Sequence, residues 1–153
     1  MYKSLKFSEL HSLGLVPWKA FRNNKIRLDA QKYRENRKNV SLNETAFDIG
    51  LKYNLSDFRV LRIMREGKGY TIEELNQMSF DELKEKGFID TTKIRDYEIY
   101  NEYLEKKKQG MKYHYSVIEL SRKHNMSINT IIRAIGVGNN LKGQMEKLWN
   151  SKK

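Results

Sequence analysis

At 153 residues, 39% of them hydrophobic, the chain suits one compact domain or two small ones, and its net charge of +11 favours a polyanionic partner. The absence of cysteine excludes disulfides and thiolate metal sites, and no run reaches the roughly 18 apolar residues that suggest a membrane span. Two half-size domains would each bury a small fraction of their surface, so the halves are expected to pack on each other or to form a homodimer.

Taken in chain order, the signals are helical. The opening MYKSLKFSELHS lacks the apolar core of a signal peptide, which points to the cytoplasm. Pro17 is placed to open a long helix, where its missing N–H costs nothing. That helix is basic: Lys19, Arg22, Lys25, Arg27, Lys32, Arg34, Arg37 and Lys38 face only Asp29 and Glu35. Four pairs have capping-box spacing, in which a Ser or Thr and a Glu three residues later each satisfy a free backbone N–H. They are Ser41 with Glu44, Thr71 with Glu74, Ser79 with Glu82, and Ser116 with Glu119. Gly87, Gly110 and Gly136 follow apolar-periodic runs and read as helix stops. The expected class is all-α, with short helices and tight turns. Met111 to Tyr115 is the one stretch that could pass for a short strand. The acidic middle, Thr71 to Glu85, reads as a spacer held away from a polyanion.

A displacement of 71 positions brings Ile49–Met64 over Leu120–Ile135, matching Lys52 with Lys123, Asn54 with Asn125, Ser56 with Ser127 and Arg62 with Arg133. Upstream, FSELHSLGLV resembles FDELKEKGFI at an offset of 73, and Lys25-Ile26-Arg27 resembles Lys93-Ile94-Arg95 at 68. The expected organisation is two tandem helical repeats, residues 1–70 and 71–153.

Within each repeat one segment has a particular logic. In Val117 to Ile135, Ser121 is small enough for close helix crossing, Asn125 tolerates a left-handed turn, Met126 plugs the turn, and Ser127 caps the next helix. Leu120, Ile131 and Ile135 point inward. Gly50, Asn54, Leu55 and Ser56 fill the same places earlier, with Val60 and Met64 inward and Phe58 read as core. The segment resembles the helix-turn-helix of phage repressors, resolvases and sigma factors. Residues of about 42–65 and 117–135 would be the two motifs, each ending its repeat, with a C-terminal helix following the second.

The resemblance implies double-stranded DNA as partner, with the second helix of each motif in the major groove. Carried over to this sequence, Arg59, Arg62, Ile128, Asn129, Thr130 and Arg133 become candidates for base contact. Lys19, Arg22, Lys25, Arg27, Lys52, Arg65, Arg122 and Lys123 become candidates for phosphate. The implied protein is a non-enzymatic regulator of transcription or replication, from a bacterium, phage or mobile element, residing on the nucleoid. Two alternatives stand beside it: a helical adaptor or inhibitor with a protein partner, and the recognition subunit of a recombinase or endonuclease. No metal or cofactor is expected, since His11, His114 and His124 are isolated, and Gly67-Lys68-Gly69 and Gly136-Val137-Gly138 are too short to cradle phosphate.

Overall fold

The computed structural model describes residues 2–152. Among them no strand occurs; the chain is all-α. A 3-10 turn (Tyr2–Ser4) leads into α1 (Phe7–Ser12), α2 (Trp18–Glu35), α3 (Leu42–Tyr53), α4 (Asp57–Arg65), α5 (Ile72–Gln77), α6 (Phe80–Glu85), α7 (Thr91–Lys108), α8 (Tyr113–His124) and α9 (Ile128–Asn150). Three expected capping boxes form, at Ser41, Thr71 and Ser79, each with its glutamate reaching back to the cap N–H. The fourth does not. Helix α8 starts earlier, at Tyr113, so Ser116 is buried inside it and its hydroxyl donates to the Lys112 carbonyl at 3.2 Å. The strand-like stretch at Met111 is thereby the lead-in and first turn of a helix.

The chain divides into two compact units, Met1–Ile89 and Asp90–Lys153. The division expected after residue 70 thus falls after Ile89, and packing explains why. Leu75 and Leu83 are fully buried, and Phe88 is almost so. The Phe88 ring meets Phe7 edge-on at 5.6 Å, and Tyr2 meets Phe80 at 5.3 Å. The Ser8 N–H donates to Asn76 Oδ1 at 2.9 Å. Residues 71–85 are therefore part of the first unit's fold and not a spacer. Two of their carboxylates, Glu74 and Glu82, serve as caps.

In the first unit a second apolar cluster joins α2, α3 and α4 through Ile26, Ala30, Ala46, Ile49, Val60 and Ile63. The chain leaving α4 returns along α2. Gly69 lies so close that a Cβ there would stand 2.6 Å from Leu28 Cα. The buried Asn24 amide then grips both polar groups of Tyr70, donating to its carbonyl and accepting from its N–H at 2.8 Å each. A buried amide satisfied twice costs little and fixes the loop.

In the second unit α7 packs along α9. Helix α9 does not stop at Gly136 but continues to Asn150, burying Leu141 and Met145. Gly138 supplies the close approach: a Cβ there would collide with Tyr100 and stand 2.9 Å from the Asp96 carbonyl oxygen. Burying Leu141 and Met145, about 1.5–3 kcal/mol each, offsets the roughly 1 kcal/mol that each of Gly136, Gly138 and Gly143 costs inside the helix.

Three pairs of helices agree in length, α1 and α6 with 6 residues, α2 and α7 with 18, α3 and α8 with 12, whereas α4 has 9 and α9 has 23. The offset is 73 from α1 through α2 and 71 from α3 onward, because the α2–α3 connection is two residues longer than α7–α8. Lys25-Ile26-Arg27 therefore corresponds to Glu98-Ile99-Tyr100 and not to Lys93-Ile94-Arg95. Ile26 and Ile99 are both fully buried. Arg22 and Arg95 also correspond, each bonding the side-chain oxygen of the next residue, Asn23 and Asp96.

Two glycine substitutions in α9 should act in opposite directions. Gly136→Ala meets nothing within 4 Å and should stabilise by about 0.5–1 kcal/mol through helix propensity. Gly138→Ala should destabilise by about 1–3 kcal/mol through overpacking. Thermal unfolding of both variants checks this, and a stabilising Gly138→Ala would mean that α9 does not lie against α7 as described.

Candidate functional site

Helices α3 and α4, and again α8 and α9, are joined by three residues that open on a left-handed asparagine: Asn54 at φ 52°, ψ 49° and Asn125 at φ 51°, ψ 48°. Asparagine enters this region at lower cost than most residues. The next N–H then closes back on the first helix, Leu55 to the Gly50 carbonyl at 2.9 Å and Met126 to the Ser121 carbonyl at 3.0 Å. Ser56 and Ser127 cap the second helices by accepting from the N–H of Arg59 and Thr130. The turn brings a carbonyl against the preceding helix, and the two pairs accommodate it differently. A Cβ at Gly50 would stand 2.6 Å from the Leu55 oxygen, so a bare glycine gives way. Ser121 instead donates its hydroxyl to the Met126 oxygen at 2.5 Å.

Each pair is also clamped to the long helix before it by one carboxylate. Asp29 on α2 accepts from Lys52 Nζ and Tyr53 Oη, both at 2.6 Å. Glu102 on α7 accepts from Lys123 Nζ at 2.8 Å and lies 3.2 Å from His124 Nε2. Burial pushes both acids up, but the hydrogen bonds from these partners outweigh it and hold each carboxyl below its usual range. The Tyr53 hydroxyl is pushed up by burial and by Asp29. Lys52 and Lys123, expected on phosphate, thus each carry a carboxylate partner. Sequence reasoning missed the clamps because Asp29 and Glu102 align only at the offset of 73, which the α2–α3 connection hides.

The expected base-contact residues fall on outward faces, with one exception. On α9, Asn129 and Arg133 are exposed beside Ile128 (46% exposed) and Ile132 (43%), while Ile131, Ala134 and Ile135 are buried behind them. Ile132 is a member of this face that sequence reasoning did not single out. Thr130 is only half-buried, and its hydroxyl lies 2.8 Å from that of Ser127, so it serves the cap. Arg122 is exposed on α8. Neither Arg122 nor Arg133 meets a carboxylate among the described residues, and α9 has no acidic residue before Glu146.

The first pair presents Arg59, Arg62 and Arg65 to solvent. Around them, however, stand Asp57, Phe58 (74% exposed) and Leu51 (69%). Phe58 is therefore not core: α4 turns Val60 and Ile63 inward, and a residue two before Val60 points away. The places of Leu51 and Phe58 are taken in the second pair by Arg122 and Asn129. On α2, Lys19 and Lys25 are exposed, whereas Arg22 lies half-buried over the Trp18 ring at 4.7 Å. Arg27 is 13% exposed; its Nε is sealed without an acceptor and its Nη1 stands 3.9 Å from Glu66.

The clamp makes a pH prediction. A carboxyl whose folded pKa is lowered adds stability above its unfolded value, near 3.8 for Asp29, and loses it as pH falls through the folded value. Asp29→Asn should lower stability by about 1 kcal/mol at pH 7, with the difference from the parent closing below about pH 4. Unfolding at pH 7 and pH 3 measures it; an equal gap at both would mean that the charge of Asp29 contributes nothing.

The chain matches no family model, no curated protein and no solved structure. What it does has to be read from the two helix pairs themselves.

Proposed function

We propose that the chain is a sequence-specific, double-stranded DNA-binding protein without enzymatic activity, a regulator of transcription or replication from a bacterium, phage or mobile element. In this reading the two helix pairs are tandem helix-turn-helix heads, acting in the cytoplasm on the nucleoid, and α9 is the principal recognition helix. The observation that carries the reading is the outward face of α9. It combines Asn129 and Arg133 with apolar Ile128 and Ile132, carries no carboxylate, and starts at a capped turn.

Those side-chain types match what the major groove offers. Arg133 is suited to the two acceptors of guanine, Asn129 to the acceptor and donor of adenine, and Ile128 to a thymine methyl. Arg122, on the first helix of the pair, is suited to a flanking phosphate. The first head brings Arg59, Arg62 and Arg65, but Asp57 would repel phosphate and Phe58 and Leu51 offer it nothing. It is the weaker reader, and its apolar face favours a second role, contact with a protein partner or a second copy. Two linked heads that both reach DNA raise affinity by about 10²–10⁴ over one.

A binding selection with the purified chain, followed by anisotropy titrations, tests the reading. Affinity should fall roughly 10³–10⁵-fold between 50 and 200 mM salt if six to ten phosphates are neutralised. Arg133→Ala should cost about 1–3 kcal/mol on the selected site and relax one base position, whereas Arg122→Ala should weaken all sequences alike. Binding that ignores salt, or equal behaviour of the two variants, would overturn the assigned roles. Recovery of no DNA at all would leave the protein-contact role in its place.

A further inference from the structure

A cleft of about 540 Å³ opens in the first unit between the second half of α2, the start of α3 and the end of α4. That volume lies within the range of small-molecule sites. Its wall is apolar where Ala30, Leu42, Leu61 and Met64 meet. Cations converge on it from three segments: Arg27 and Arg34 on α2, Arg65 on α4, and Lys68 in the loop beyond. Glu35 is the one carboxylate in the lining. Lys68 is engaged with Glu74, but Arg34 and Arg65 meet no carboxylate among the described residues. Arg27 is largely buried with only the distant Glu66 for compensation. Arg34 and Arg65 are exposed, so Arg27 alone is removed from water, and an anion in the cleft would offset what its burial costs.

The second unit shows what belongs in such a place. At the matching offsets, Arg27, Ala30 and Leu42 correspond to Tyr100, Tyr103 and Tyr113. There the three rings stand together: Tyr103 meets Tyr113 edge-on at 5.7 Å and Tyr100 at 6.5 Å. In the first unit the rings are gone, an alanine and a leucine stand in two of the three positions, and cations edge the gap. The geometry points to this cleft as a binding site for a small aromatic anion, its ring taking the place of the tyrosines and its carboxylate or phosphate lying between Arg34 and Arg65. This goes beyond the DNA reading and does not rest on it. Because Arg65 is also a phosphate candidate, a ligand here would compete for its charge.

Fluorescence titration of the full chain, without DNA, decides the matter. The probes are 2-naphthoate and 2-naphthyl phosphate, with uncharged 2-naphthol and ring-free acetate as references. At least one naphthyl anion should bind with a Kd of about 1 mM or tighter and about ten-fold more tightly than naphthol, and acetate should not bind detectably. The tighter anion identifies the head group. Arg34→Gln should weaken that anion about ten-fold. Ala30→Tyr, which restores a ring of the second unit, should abolish binding. Should that variant lose its helical circular dichroism, Leu42→Tyr at the exposed mouth takes its place and should weaken binding. Equal binding of naphthol and the anions, unchanged binding in Arg34→Gln, or no anion binding at several millimolar would each overturn the site.

Discussion

Each helix pair turns on a single backbone event, the left-handed asparagine that ends the first helix and throws the next carbonyl back against it. With Asn54 and Asn125 in nearly identical conformations, the following N–H closes on the residue four positions before the asparagine, and the second helix departs in a fixed direction. The returning carbonyl leaves room for very little. Glycine meets it with empty space at position 50; serine meets it with a hydroxyl at position 121. Larger side chains would force the helices apart, and the outward face of the second helix would swing with them. The carboxylate clamps then lock the pair to the long helix behind it, so that Asp29 and Glu102 act at one remove from the exposed face.

The two units hold the same arrangement by different means. In the second, α9 runs on past the turn for 23 residues and lies along α7, with Gly138 permitting the approach. In the first, α4 ends after 9 residues, and the loop that follows is held to α2 through Gly69 and the Asn24–Tyr70 pair of hydrogen bonds. A continuous helix spends its anchoring on apolar burial, Leu141 and Met145; a loop has to spend it on polar groups, because its own N–H and C=O must be satisfied. The first unit has a cleft beside Ala30 and Leu42, and at the matching offsets the second has the rings of Tyr103 and Tyr113 in contact. The two pairs thus differ on their outer faces: that of α9 carries Asn129 and Arg133 beside Ile128 and Ile132, and that of α4 carries three arginines beside Asp57 and the exposed Phe58.

Much of this was legible in the residues themselves. Ser41, Thr71 and Ser79 announce their helices because capping is local, involving groups three residues apart. The turn positions are equally local: Asn, a plug, and a capping Ser are chemical requirements of one short loop. For that reason the outward placement of Asn129, Arg133, Arg59 and Arg62 follows from spacing alone. Ser116 misled because a hydroxyl at cap spacing can also bond its own helix, and which of the two occurs depends on where the helix begins. Register and not hydrophobicity sets Phe58, which stands two positions before the inward Val60 and so points to solvent.

What the sequence by itself determined is the set of short-range structures: the helices, their caps, and the left-handed corners, all set by groups within a few residues of one another. Tertiary structure alone decided the rest. The boundary after Ile89 depends on Phe88 meeting Phe7 across eighty residues, and the persistence of α9 through Gly136 and Gly138 depends on Tyr100 lying opposite. The partners of Lys52 and Lys123 depend on a carboxylate more than twenty residues away. Contacts of that range are fixed by how volumes fill and charges pair in space, and a two-residue change in one connection is enough to hide them from any comparison made along the chain.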